Sequence, residues 1–296
     1  MKIKSFTPLL ALAGFSLSFT SANAASLIYE PFSQTAGGLG GQAGGTGLSG
    51  NWTTNQVVNV VNPPTLDYGD LENTGGQVTM SVGSGTWAAI STTTALADAG
   101  LLNDGATLWF SYVFQKSASG GTNEQSGFAF GTDRINPAFN GVNMQNSGFG
   151  FGVYTNSASV VASSWSAGTR TAGGTVALQN TDPVIANGGT LATLVIGRIV
   201  WGATSSDNDV LTLWTRALDD IATEPTTGGA VRSTAGFDQT QLNTISFGLR
   251  NSGTGSTQTY DEIRFGASFA DVSPIPEPTT ALLGGLGLLA LLRRRR

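Results

Sequence analysis

The chain contains no cysteine and no histidine, and only 11% of its 296 residues are charged. Without cysteine there is no disulfide framework and no thiolate nucleophile. Without histidine there is no Ser-His-Asp triad and no zinc site of the usual ligand type. Proline is scarce at 10 residues, and even with 41 glycines the two stay below the roughly 25–30% of low-complexity disordered chains. No segment longer than ten residues has a helical hydrophobic period outside the two ends. What the chain does have is aromatic mass: 15 Phe and 6 Trp in a sequence that is 40% hydrophobic, enough for a real core.

Residues 1–24 read as a secretory signal peptide. Lys2 and Lys4 give a positive start, Phe6 to Phe19 are mostly apolar, and Ala22-Asn23-Ala24 is a small-x-small cleavage site that leaves Ala25 as the new N-terminus. The alternative is an uncleaved membrane anchor, but the apolar stretch is short beside the ~20 residues that a span requires. At the other end, Pro274-Ile275-Pro276-Glu277-Pro278-Thr279-Thr280 precedes an apolar run from Ala281 to Leu292 and then Arg293, Arg294, Arg295 and Arg296. Proline fixes φ and removes a donor, so the Pro-Glu-Pro segment is expected to be extended and accessible. As a helix the apolar run with its flanking threonines spans about 21 Å, against a hydrocarbon core of roughly 30 Å. The four arginines would hold that tail on the cytoplasmic side.

This order of tripeptide, apolar span and arginine cluster resembles the PEP-CTERM sorting signal of Gram-negative bacteria that make exopolysaccharide. The resemblance implies that a membrane-embedded exosortase recognises Pro276, Glu277 and Pro278 and processes the chain nearby. It implies export across the inner membrane to the cell surface or the extracellular space, with an ordinary C-terminal tail anchor as the alternative. The expected organisation is therefore a signal peptide at 1–24, an ectodomain at 25–273 and a sorting signal at 274–296.

Between the processed ends, residues 25–275 carry eighteen acidic and eight basic residues, a net charge of −10 that the whole-chain value of −5 conceals. Such a surface repels phosphate backbones, so nucleic acid is not an expected partner, and membrane contact is expected only through the tail before processing. The secondary-structure signal is almost entirely strand. Candidates are 27–32, 77–82, 107–116, 127–131, 148–155, 159–165, 190–201, 209–217, 244–250 and 260–269, rich in Val, Phe, Trp, Tyr and Thr and separated by Gly, Asn, Ser and Asp. Alternation is plain where Phe149, Phe151 and Val153 oppose three glycines, and where Ile245, Phe247 and Leu249 oppose Ser246 and Gly248. One-sided strands of this number predict two antiparallel sheets packed face to face. Residues 33–75 are expected to be loop-like, since 35–50 is half glycine and Pro63-Pro64 interrupts any strand.

Three segments near the end of the ectodomain carry a second resemblance: Leu194 to Trp201, Asp209 to Trp214, and Tyr260-Asp-Glu-Ile-Arg-Phe-Gly266 followed by Phe269 to Val272. With the opening Tyr29-Glu30-Pro31-Phe32 they are similar to concanavalin A-like, laminin-G-like domains. That implies an all-β, two-sheet antiparallel jelly-roll sandwich, flanked by the signal peptide and a short C-terminal hydrophobic helix. The fold hosts lectins, glycanases and inert modules alike.

With His and Cys absent, carboxylates are the available acid–base groups, and a glycosidase needs two at roughly 5–5.5 or 6.5–9.5 Å. Asp261-Glu262 is the nearest acidic pair within a strand, but neighbours in a regular strand point to opposite faces. Pairing with Arg198, Arg264 or Arg216 across strands is the expected use of these charges. Asp207 and Asp209 would suit calcium as a cofactor, or else simply shape a tight turn. Of the six tryptophans, Trp109, Trp201 and Trp214 sit in apolar strands and are assigned to the core. Trp52 and Trp87 lie beside Gly- and Thr-rich segments and are the candidates for stacking on a glycan. The expected role is non-catalytic, structural or adhesive, associated with exopolysaccharide. A lectin-like carbohydrate-binding module is the alternative and a polysaccharide-cleaving enzyme the third reading.

Overall fold

The computed structural model describes residues 26–68, 73–81, 84–116, 125–136, 143–144, 150–156, 159–164, 191–218, 223–234, 238–250 and 257–273. The first eight strands are β1 Ile28–Glu30, β2 Gly37–Gly38, β3 Leu48–Thr54, β4 Val58–Val61, β5 Gln77–Ser81, β6 Ser84–Thr92, β7 Thr107–Lys116 and β8 Gln125–Gly131. They are followed by β9 Ile135–Asn136, β10 Asn143–Met144, β11 Gly150–Asn156, β12 Ser159–Ser164, β13 Thr193–Val200, β14 Asp209–Ala217, β15 Ala230–Thr234, β16 Thr244–Arg250 and β17 Thr257–Gly266. Two four-residue helices, α1 Ala95–Asp98 and α2 Phe269–Val272, complete the main elements.

The strands form a jelly-roll sandwich. One sheet has nine strands in the order β15-β14-β13-β7-β17-β5-β4-β2, with β1 also paired to β17, and the other has six in the order β12-β11-β8-β16-β6-β3. Every pairing between these strands is antiparallel. All ten strands expected from the sequence are present, with ends shifted by a few residues.

Alternation decides what lies between the sheets. Phe110, Tyr112 and Phe114 of β7, with Tyr260 and Phe265 of the neighbouring β17, face Phe128 and Phe130 of β8 and Phe247 of β16, all buried. The rings meet closely, with Tyr112 and Phe128 stacked at 4.3 Å and Phe247 and Tyr260 at 4.7 Å between centroids. Each fully buried aromatic contributes about 1.5–3 kcal/mol, which is how a domain without disulfides is held by its core. Gly197 of β13 lies directly opposite Phe110, and a Cβ there would collide with the phenyl ring.

The opposite positions differ between the sheets. On the six-stranded sheet they are small, namely Gly127 and Ala129 of β8 and Ser246 and Gly248 of β16, and β9 packs against β6, β8 and β16. On the nine-stranded sheet they build a second apolar cluster of Trp109, Val113, Leu194, Ile196 and Trp214, joined by Tyr68, Leu218 and Val272. Helix α2 is tied to this face because the Ser111 hydroxyl donates to the Val272 carbonyl at 2.5 Å, and a capping box at Ser268 and Asp271 closes its first turn. The Ser26 hydroxyl donates to the Asp271 carbonyl, so the two ends of the ectodomain meet there.

The segment 33–75, expected to be loop-like, contains three strands, β2, β3 and β4. Glycine there serves close approach: a Cβ at Gly45 would strike the Tyr29 carbonyl and one at Gly47 the Leu27 carbonyl, so this segment lies directly on β1. Among the described residues no helix is long and apolar enough to cross a membrane. The signal peptide with Ala22 and Ala24, the apolar run 281–292 and Arg293 to Arg296 lie outside the described residues.

Candidate functional site

Strand β17 is the centre of the polar architecture. Along one edge β5 pairs with Thr257–Tyr260 and β1 takes over at Ile263–Phe265, leaving Asp261 and Glu262 at the seam. On the other edge, β7 shows a register shift between Asp261 and Arg264, the mark of a β-bulge. Glu262 has φ of +51°, a left-handed conformation that costs a non-glycine residue about 1–3 kcal/mol and is held by the surrounding contacts. One such contact is the Glu262 N–H donating to Asp261 Oδ1 at 2.7 Å.

The bulge overturns the expectation that the two acids point to opposite faces. Tyr260 and Ile263 enter the core between the sheets, whereas both carboxylates lie buried among the polar groups of the outer side. The Tyr68 hydroxyl donates to Asp261 Oδ2. Glu262 Oε2 accepts from Arg264 Nη2 at 2.5 Å and Glu262 Oε1 accepts from the Tyr29 hydroxyl at 3.1 Å. The Arg264 guanidinium also rests 4.1 Å from the centroid of the Tyr29 ring. Burial first, then the neighbouring Glu262 charge, raises the Asp261 carboxyl well above the usual range. Burial raises Glu262 as well, opposed by Arg264. Both tyrosine hydroxyls are pushed up, by burial first and then by the adjacent carboxylates. The arrangement is a closed network of donors and acceptors, with neither carboxylate open to solvent.

A third buried acid, Glu30, went unrecognised in the sequence as anything but part of the opening strand. Its Oε1 accepts from the Phe32 N–H at 2.9 Å and Gln34 Nε2 at 3.0 Å, and its Oε2 from the Gly45 N–H at 2.9 Å and Trp52 Nε1 at 3.0 Å. The available signal was alternation: two residues beyond Ile28, Glu30 shares its inward face.

That contact corrects the expectation that Trp52 is a candidate for stacking on a glycan. Trp52 is 1% exposed, packs on Phe32 and Phe247 at 5.8 and 5.4 Å, and spends its indole N–H on Glu30, so no ring face is available to a sugar. Trp87 on β6 is half-buried, and the Arg134 guanidinium covers one face at 3.9 Å from the ring centroid. Asp207 closes the turn between β13 and β14, its Oδ2 accepting from the Thr204 N–H at 3.0 Å and hydroxyl at 2.9 Å. Asp209 is buried and accepts from the Gly202 N–H at 2.9 Å. Both side chains thus serve the turn, and no group of three or more Asp or Glu placed to hold a metal occurs among the described residues.

The expected pairing of β17 acids with arginine is realised by Arg264 and not by Arg198. The Arg198 guanidinium lies 5.5 Å from the ring centroids of both Trp109 and Trp214, which are stacked on one another. Its Nε is buried without a hydrogen-bond partner. Trp201 and Trp214 are buried, as is Trp109. The sorting residues Pro276, Glu277 and Pro278 lie outside the described residues.

Among solved structures, the chain is similar to the Emp46p carbohydrate recognition domain in its potassium-bound form, at 9% identity and a TM-score of 0.42 over 72% of this chain and 87% of that one. It is similar to an endo-β-1,4-glucuronan lyase from the fungus Trichoderma reesei, at 12% identity and a TM-score of 0.45 over 84% of this chain and 99% of that one. A third is the binding domain of botulinum neurotoxin DC in complex with rat synaptotagmin II, at 11% identity and a TM-score of 0.42 over 84% of this chain and 49% of that one. No match to the chain is found among curated proteins. Residues 274–296 match the PEP-CTERM protein-sorting motif, so the chain carries the address of an exported protein that an exosortase processes.

Proposed function

We propose that the protein is a non-catalytic component of the cell surface or extracellular matrix, structural or adhesive in role and associated with exopolysaccharide. The observation that carries this reading is the state of Asp261 and Glu262. The acidic pair within β17 is sealed, 0% exposed, and its oxygens are committed to Tyr68, Arg264 and Tyr29. Acid–base cleavage of a glycosidic bond requires carboxyl groups within reach of the glycosidic oxygen and a water. The sorting motif supports the location, because it begins at residue 274, one residue beyond the Ser273 that follows α2 on the sandwich.

The test is to incubate the processed protein with the exopolysaccharide of the cells that produce it and assay for new reducing ends and unsaturated sugar ends. The reading expects none above a boiled control. Release of either, abolished in Asp261→Asn, would overturn it.

A further inference from the structure

The outer face of β13–β15, partly buried by the second apolar cluster, holds a group that the closed networks leave out. Arg198 is one of eight basic residues between 25 and 275, yet the carboxylates nearest in character, Asp261 and Glu262, are committed elsewhere. Its guanidinium is set against the stacked Trp109 and Trp214 indoles, and its buried Nε has no partner. Cation–π contact fixes the plane of the cation without neutralising it. That Nε is sealed from solvent, so an arriving acceptor meets the guanidinium at its terminal nitrogens.

The surroundings match one ligand chemistry. Arg198 pairs across to Thr212 of β14, and Thr212 to Val231 of β15, so these three side chains share a face. Val200, two residues along β13, falls on that face too. Val200 and Val231 are 38% and 50% exposed, two of the four exposed large hydrophobics among the described residues. Asp271 of α2 is engaged by the Ser268 N–H and hydroxyl at 2.8 and 2.9 Å. A planar cation beside exposed apolar side chains complements a ring with one carboxylate and an apolar C–H face.

We propose that Arg198, with Val200 and Val231, forms a binding site for a carboxylate-bearing sugar chain on the outer face of the nine-stranded sheet. This rests on the reading of the protein as exopolysaccharide-associated and names the class of sugar. The guanidinium fork takes the uronate carboxylate through two parallel N–H···O bonds, a geometry that lysine cannot reproduce. The valines lie under the pyranose. At physiological ionic strength the Debye length of about 8 Å confines repulsion from the acidic surface to its own neighbourhood.

The experiment titrates the full-length protein in mild detergent with oligogalacturonate and with a neutral cello-oligosaccharide of equal length, following tryptophan fluorescence. Co-sedimentation with the producer's polysaccharide runs in parallel. The site predicts binding of the oligouronate over the neutral oligomer, and a loss of about tenfold or more in Arg198→Gln and Arg198→Lys. Val231→Glu, at a half-exposed edge position, tests the same surface without touching the indole stack and is expected to lose affinity to a similar degree. Equal binding of the two oligomers would overturn the carboxylate class, and unchanged oligouronate affinity in both Arg198→Gln and Val231→Glu would overturn the site. Either result, with polysaccharide still co-sedimenting, leaves the matrix role standing; loss of co-sedimentation in the unsubstituted protein defeats both.

Discussion

Glu30→Gln is the sharpest perturbation available, because it changes one atom. The carboxylate accepts four hydrogen bonds, two at each oxygen, from residues on β1's continuation, the glycine-rich segment and β3. Glutamine can keep the pair formed by Phe32 and Gln34, but its amide nitrogen then faces the Gly45 N–H and Trp52 Nε1–H, donor against donor. Each buried donor left unmatched costs about 1–3 kcal/mol. Two of them in one site give a loss of about 2–6 kcal/mol, a large share of the 5–15 kcal/mol that domains ordinarily have. At about 2–4 °C per kcal/mol for a domain of this size, the midpoint would fall by about 4–24 °C. The assay is urea unfolding followed by tryptophan fluorescence, in a cycle with Trp52→Phe, which removes one of the two displaced donors. A coupling of about 1 kcal/mol or more between the two substitutions is expected. A loss below about 1 kcal/mol for Glu30→Gln, or strict additivity with Trp52→Phe, would refute the claim that this carboxylate fastens the segment to β1.

Other outcomes follow from the same contacts. Asp261 and Glu262 have raised carboxyl pKa values, so the folded state binds more protons than the unfolded one. Their contribution to stability is present below the ordinary carboxylate range and is lost as pH rises through the folded values, a slope that Asp261→Asn should flatten in urea titrations across pH. Gly197→Ala drives a Cβ into the Phe110 ring and is expected to cost about 1–3 kcal/mol or more by chemical denaturation, whereas Gly38→Ala meets nothing within 4 Å and should cost under about 1 kcal/mol. Replacing Pro276 and Glu277 with alanine should leave an unprocessed chain in the membrane fraction on immunoblots of fractionated cells, with the sandwich still resistant to protease.

The ten strands were legible because a half-buried strand with large inward residues announces itself by alternation, as Phe247 does between Ser246 and Gly248. The strands that escaped lack that contrast. β6 reads Ser-Gly-Thr-Trp-Ala-Ala-Ile-Ser-Thr, whose inward Ala88 is no larger than its outward Ala89. β3 offers Leu48 and Trp52 inward among Ser, Gly, Asn and Thr. The glycines over 35–50 look like loop chemistry in a sequence, yet at Gly45 and Gly47 they admit close backbone approach. Trp52 was misplaced for the same reason, since polar and glycine neighbours in sequence say nothing of the Glu30 carboxylate brought up by β1. The faces of Asp261 and Glu262 depended on a bulge and a positive φ at Glu262, which no local pattern encodes.

The central claim is that this sandwich associates with an exported polysaccharide and leaves it intact. Its most direct test is co-sedimentation of the processed protein with the producer's own extracellular polysaccharide, with the polymer's size distribution measured before and after. Saturable co-sedimentation with an unchanged size distribution is the predicted result. A fall in polymer size, or no co-sedimentation at any protein concentration, would contradict it.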